Sequence, residues 1–173
     1  VVETSTPGSA LPGGARTTRV STTFDLYGMP SQVEDLGDVA TPSDDLCTRT
    51  EYARSTSANI LGTVKRVETV GVACGTTAVR PGDVVSDVRT SYDGLAHGAS
   101  PTKGLATKVE RVASYSGTAP VYQTVTTSTY DANGRVLTVS DALARTTSTA
   151  YTTASGGLVT AKTVTSPDPD GSG

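Results

Sequence analysis

Short runs of alternating apolar and polar residues follow one another along this chain, and each run stops at a cluster of Gly, Pro, Asp or Asn. Thr17 to Phe24, Thr63 to Val72, Val84 to Tyr92, Leu105 to Ser114, Val121 to Tyr130, Arg135 to Val139, Thr146 to Tyr151 and Leu158 to Thr165 are rich in Val, Thr and Tyr. These side chains suit a pleated, half-buried surface, and turn clusters roughly every ten residues are the spacing of hairpin-linked antiparallel strands. No stretch keeps apolar residues at helical spacing beyond about two turns, so the expectation is all-β. Within Lys108 to Val112 and Val67 to Val72 the alternation is imperfect, which leaves the buried face undefined.

An internal repeat overlies these strands. An aromatic residue, then Asp, then a Gly-containing turn appears as Phe24-Asp25-Leu26-Tyr27-Gly28, as Tyr92-Asp93-Gly94, and most fully as Tyr130-Asp131-Ala132-Asn133-Gly134-Arg135. The aromatic is expected to end a strand and supply most of the local core. Asp opens the turn by accepting backbone N–H bonds, and Gly takes the positive-φ position. Asn133-Gly134 is also a strong hairpin signal. Tyr130 and Tyr151 bracket a single unit of two strands and two turns, with Asp141 to Arg145 as the intervening turn. The longer intervals from Tyr52 to Tyr92 and from Tyr92 to Tyr130 each read as about two such units, with inserted loops near Asp38 to Asp45 and Ala96 to Lys103.

Composition thins the expected core, since only 35% of the 173 residues are apolar and Trp is absent. A net charge of -3 with scattered Lys and Arg gives no basic face, so nucleic acid is not an expected partner. No apolar run approaches a membrane span. Residues 1–16 read as linker or a frayed end, 17–165 as the repeat region and 166–173 as a flexible tail, the layout of an internal segment. Cys47 and Cys74 lie in no metal-ligand spacing; a disulfide closing the loop between them, in an oxidising compartment, is the natural reading, and two reduced buried thiols the alternative. His97 is the only histidine, so a Cys74–His97 dyad would have to pass through a loop residue, and no nucleophile elbow or phosphate-binding loop accompanies it. Asp44-Asp45 and Asp168-Pro169-Asp170 lack the ligand order of a calcium loop and read as turn acids. Carboxylates distant in sequence could converge on a sheet as a glycosidase pair, but scattered tyrosines make no sugar platform. No cofactor and no enzyme activity are expected.

Tyr130-Asp131-Ala132-Asn133-Gly134-Arg135-Val136, followed by Val139-Ser140-Asp141-Ala142-Leu143-Ala144-Arg145-Thr146-Thr147 and Tyr151, resembles the YD-repeat, or RHS-repeat, family. That family includes bacterial RHS proteins, the C component of toxin complexes and the YD shell of teneurins. The likeness covers about residues 17 to 165 and is most regular at 122–165. It departs from the family at Ala144, where Gly is usual, so that turn must avoid positive φ or carry strain. The resemblance implies a curved sheet of β-hairpin repeats, a segment of a hollow shell around a C-terminal toxin or effector domain. The structural repeat residues would be Phe24, Asp25, Gly28, Tyr52, Tyr92, Asp93, Gly94, Tyr130, Asp131, Gly134, Arg135, Asp141 and Tyr151. Its implied partners are neighbouring repeats and that effector, at the cell surface or outside the cell. A carbohydrate-binding or adhesion module is the alternative.

Overall fold

The computed structural model describes residues 2–7 and 17–168. Eleven strands form one antiparallel sheet in strict chain order, each hydrogen-bonded only to its predecessor and successor. They are β1 (Val2–Pro7), β2 (Thr17–Phe24), β3 (Pro30–Asp38), β4 (Leu46–Tyr52), β5 (Val64–Val70) and β6 (Val84–Tyr92). β7 (Ala106–Ser116), β8 (Ala119–Tyr130), β9 (Val136–Asp141), β10 (Thr146–Thr153) and β11 (Val159–Thr165) complete the sheet. Among the described residues a single 3₁₀ turn, Pro42–Asp44, lies between β3 and β4.

The all-β, antiparallel expectation holds, and the strands at Thr17–Phe24 and Val84–Tyr92 have the bounds expected of them. Two corrections concern segments that looked too polar or too loop-like. Val2–Pro7, expected as linker or a frayed end, pairs antiparallel with β2, from Val2 opposite Thr22 to Pro7 opposite Thr17; residues 8–16 lie outside the described residues. Pro30–Asp38 and Leu46–Tyr52 are full strands although their sequences are strongly polar. Polar strands are tolerated because no second layer demands an apolar face. Cross-strand pairs satisfy the side chains instead: Thr48 with Thr69 at 3.0 Å, Thr129 with Thr138 at 2.6 Å and Ser140 with Thr146 at 2.6 Å.

The accessible surface, 10435 Å², exceeds the roughly 7,900 Å² of a compact globule of this mass. The excess is the signature of a single layer. Apolar burial is concentrated where Leu36, Cys47 and Val70 meet on one face of β3, β4 and β5. Loop 71–83 folds over this patch and is fastened there by a disulfide between Cys74 and Cys47. Its backbone is held as well, since Cys74 N donates to Glu34 at 3.0 Å and Arg49 donates to the Cys74 carbonyl at 2.8 Å.

Loops 25–29, 131–135, 141–145 and 154–158 share one backbone form. The first N–H donates to the fifth carbonyl at 2.9, 2.9, 3.0 and 2.8 Å, and the fourth N–H donates back to the first carbonyl. The fourth residue therefore has positive φ: Gly28, Gly134 and Gly157 at 74°, 76° and 84°, and Ala144 at 61°. Ala144 takes the strained course. A left-handed conformation costs an L-residue about 1–2 kcal/mol, partly offset by the entropy glycine loses on folding. Ala144→Gly is accordingly expected to raise stability by about 0.5–1 kcal/mol in urea titration, and a lower midpoint would contradict the assigned turn.

Candidate functional site

Each aspartate of the repeat organises a turn. In Asp25, Asp131 and Asp141, Oδ1 accepts the N–H groups two and four residues on: Tyr27 and Met29, Asn133 and Arg135, Leu143 and Arg145, at 2.8–3.1 Å. Oδ2 meets a guanidinium, supplied by Arg135 at 2.6 Å, by Arg145 at 2.7 Å and, for Asp25, by Arg54 of the next hairpin. Asp93 does the same work for a longer loop. Its carboxylate accepts N–H bonds from Thr102, Lys103, Gly104 and Leu105 at 2.7–3.1 Å. Burial opposes its charge, but these four donors outweigh burial and bring its pKa down to about 2. Because the folded value lies below the unfolded 3.8, this contribution is complete above pH 4 and is lost as pH falls through 2. Asp93→Asn should flatten the acid limb of the pH–stability profile between those values; an unchanged limb would refute the assignment.

The tyrosines tie one hairpin to the one before it. Tyr52 donates its hydroxyl to the Pro30 carbonyl at 2.8 Å, Tyr92 to Val64 at 2.7 Å and Tyr130 to Ala106 at 2.8 Å. Each acceptor is the first residue of the preceding hairpin's second strand. The sheet ladder shifts register immediately before Phe24, Tyr52, Tyr92 and Tyr130, a bulge that increases local twist at the same place in each unit. The turns also stack along this edge. Met29 lies against Gly62, Ile60 and Thr63 against Gly104, and Leu105 against Gly134. Guanidinium groups lie between the layers: Arg54 is 4.7 Å from the Tyr27 ring and 4.5 Å from the Tyr52 ring, and Arg135 is 4.6 Å from the Tyr151 ring.

A second cluster occupies the middle of the sheet. Across β5 and β6, Arg66 faces Arg89 and Glu68 faces Asp87, like charges in direct opposition. Opposite charges around them offset this: a diagonal pair, a pair along β5, a pair across to β7 and one from a loop. Arg66 grips Asp87 with two bonds of 2.9 and 2.8 Å and reaches Glu68 at 3.0 Å; Arg80 from loop 71–83 meets Glu68 at 2.6 Å. Arg89 meets Glu110 at 2.8 Å and lies 3.9 Å from the Tyr122 ring, and Tyr122 donates to Asp87 at 2.6 Å. The Asp87 side chain is fully buried. Burial raises its pKa, yet the bonds from Arg66 and Tyr122 leave it below the ordinary value. Burial, and then the bond to Asp87, push the Tyr122 phenol up to about 12. The convergent carboxylates Glu68 and Asp87 are thus engaged by Arg66, Arg80 and Tyr122, an arrangement that ties β5, β6 and β8 together.

No protein-family model matches this chain, and no curated protein does either.

The repeat residues are brought to their expected turns, with several corrections. Phe24 is 41% exposed, so it ends a strand without supplying core; nothing in a single layer covers it. The intervals from Tyr52 to Tyr92 and Tyr92 to Tyr130 each contain one two-strand unit, not two, enlarged by the long loops 53–63, 71–83 and 93–105. Tyr151 does not end its strand, since β10 runs on to Thr153. The Asp141 turn lies on the opposite edge from the tyrosine-led turns, as strand alternation requires. Cys74 is bonded to Cys47, which leaves no thiol for His97, an exposed residue of loop 93–105. Asp44 accepts the Asp38 N–H at 3.0 Å as a turn acid, and Pro169 and Asp170 lie outside the described residues. Among the described residues no cluster of potential metal ligands forms, and no helix is long and apolar enough to cross a membrane. Sequence reasoning missed Arg54, Arg66, Asp87 and Tyr122, whose roles depend on register; the signal available was charge repeated at alternate positions of neighbouring polar strands.

Proposed function

We propose that the chain is a non-catalytic segment of a YD/RHS-type β-shell that encloses, and helps deliver, a toxin or effector carried elsewhere in its parent protein. The observation that carries this reading is the tyrosine bond repeated from hairpin to hairpin, which makes each unit part of a continuous single-layer wall. An isolated hairpin is marginal in water, so such units gain stability by adding to one another. A wall one layer thick suits enclosure better than the building of a deep pocket. The disulfide favours an oxidising, secreted or cell-surface setting. A glycan-binding or adhesive surface draws less support, because the Tyr52, Tyr92 and Tyr130 hydroxyls are engaged by backbone.

Protease protection tests the reading. In the parent protein the enclosed domain should survive digestion while the shell is intact and be cut once the shell is opened by denaturant. Equal digestion rates for the enclosed and the free domain would sink it.

A further inference from the structure

β6 and β7 do not pair along their whole length. Their ladder runs from Tyr92 opposite Ala106 to Val88 opposite Arg111 and stops there. β6 begins earlier, at Val84, and β7 runs on to Ser116. Each unpaired stretch stays bonded on its other side, Ser86 opposite Thr69 and Val112 opposite Tyr122. Bulges lie in both of those flanking ladders, between Thr69 and Val70 and between Val112 and Ser114. A bulge bends its strand and increases local twist, so the two hairpins part here. The slot between them measures about 420 Å³, a size that suits a small ligand.

Val85, Val88, Val112 and Ala113 give the slot its apolar lining, and Val85 and Val88 are 62% and 37% accessible. Arg111 is the cation of the lining. It stands opposite Val88 on one side and Gln123 on the other. Turned with its oxygen toward the guanidinium, the Gln123 amide accepts from Arg111 Nε and Nη2 at 3.1 Å each. A neutral amide fixes the guanidinium without cancelling its charge. Arg54, Arg66, Arg89, Arg135 and Arg145 each meet a carboxylate, whereas Arg111 meets none among the described residues. Asp87 also borders the slot, but its carboxylate is held by Arg66 and Tyr122. Its charge disfavours a second negative charge on anything bound beside it.

We infer that this slot binds a monocarboxylate with a short branched aliphatic body. Gln123 takes two of the five guanidinium N–H donors, which leaves the Nη1–Nη2 fork for the two oxygens of the ligand. The aliphatic body covers Val85 and Val88 and removes their methyl groups from water. Inorganic phosphate, with more charge and no apolar body, matches neither feature. The site is independent of what the wall encloses. A carboxylate of this kind comes either as a free acid or as the C-terminus of a polypeptide ending in valine.

Titration of the full chain with isovalerate at neutral pH, followed by NMR, tests the assignment. Saturable shifts are expected at the amides of Val85 to Val88 and of Val112 and Ala113. Isovaleramide, which keeps the shape and lacks the charge, should bind about tenfold more weakly, and so should isovalerate to Arg111→Gln. Arg111 is exposed, so this variant should keep the parent's urea midpoint. The comparison of acid with amide uses the unaltered protein and stands without the variant. An acetylated tripeptide ending in valine separates the two sources: tighter binding than isovalerate assigns the slot to a chain terminus, and weaker binding to a free acid. Shifts that stay linear in concentration, equal affinity for acid and amide, unchanged binding in Arg111→Gln, or phosphate binding as tightly as isovalerate would overturn the site.

Discussion

Asp87→Ala should destabilise the protein by about 3–5 kcal/mol, read as a fall in the urea midpoint at neutral pH. The side chain is fully buried and accepts two bonds from Arg66 and one from Tyr122. Removing it strips Arg66 of its two-bond partner, leaving that guanidinium opposite Arg89 with only Glu68 and the exposed Glu51 to offset it, and leaves the half-buried Tyr122 phenol without its acceptor. Desolvation makes a partly buried charge that has lost its main partner costlier than the intact pair is favourable. The control follows from the same reasoning. Asp87→Leu combined with Arg66→Met removes both charges and should recover much of the loss, since paired ions replaced together by apolar groups are often neutral in stability. A single variant within 1 kcal/mol of the parent, or a double variant worse than the single, would refute the account.

Opening the disulfide is the other large effect. With Cys47 and Cys74 separated by 27 residues, loss of the link should cost roughly 3 to 4 kcal/mol through the freedom regained by the unfolded chain. Native packing adds to that, because the bond sits in the patch formed by Leu36, Cys47 and Val70 and holds loop 71–83 above it. Cys47→Ala with Cys74→Ala should therefore lower the midpoint and raise hydrogen exchange selectively in β3, β4 and β5. Coincident denaturation curves with and without reductant would show that the link carries no stability. Arg80 makes the coupling local, since the same loop delivers it to Glu68.

Much of this architecture can be read from residue types. Val and Thr runs mark most strands, and the spelling Tyr130-Asp131-Ala132-Asn133-Gly134-Arg135 marks a turn whose carboxylate and glycine act as the pattern suggests, with the Arg135 guanidinium joining the carboxylate. Ala144 shows the limit of such spelling, because backbone closure by the Asp141 carboxylate imposes the positive φ even where the residue resists it. β3 and β4 escape the pattern for a different reason. Alternation is a record of a buried face, and a single layer with Glu34, Arg49 and Glu68 on a shared face writes no such record. Arg54 is legible only after folding: it serves Asp25 from the following hairpin, whereas Arg135 serves Asp131 from within its own loop. One chemical arrangement is thus supplied from two places in the sequence, and no fixed spacing can reveal both.

Strict chain order gives the sheet the mechanics of a zipper. No strand is clamped between partners distant in sequence, so a force applied along the chain peels hairpins from an end one at a time instead of shearing the whole ladder at once. Extension records should show a series of small, similar steps. The crosslink from β4 to loop 71–83 would interrupt that series, shortening the releasable length until reductant is added.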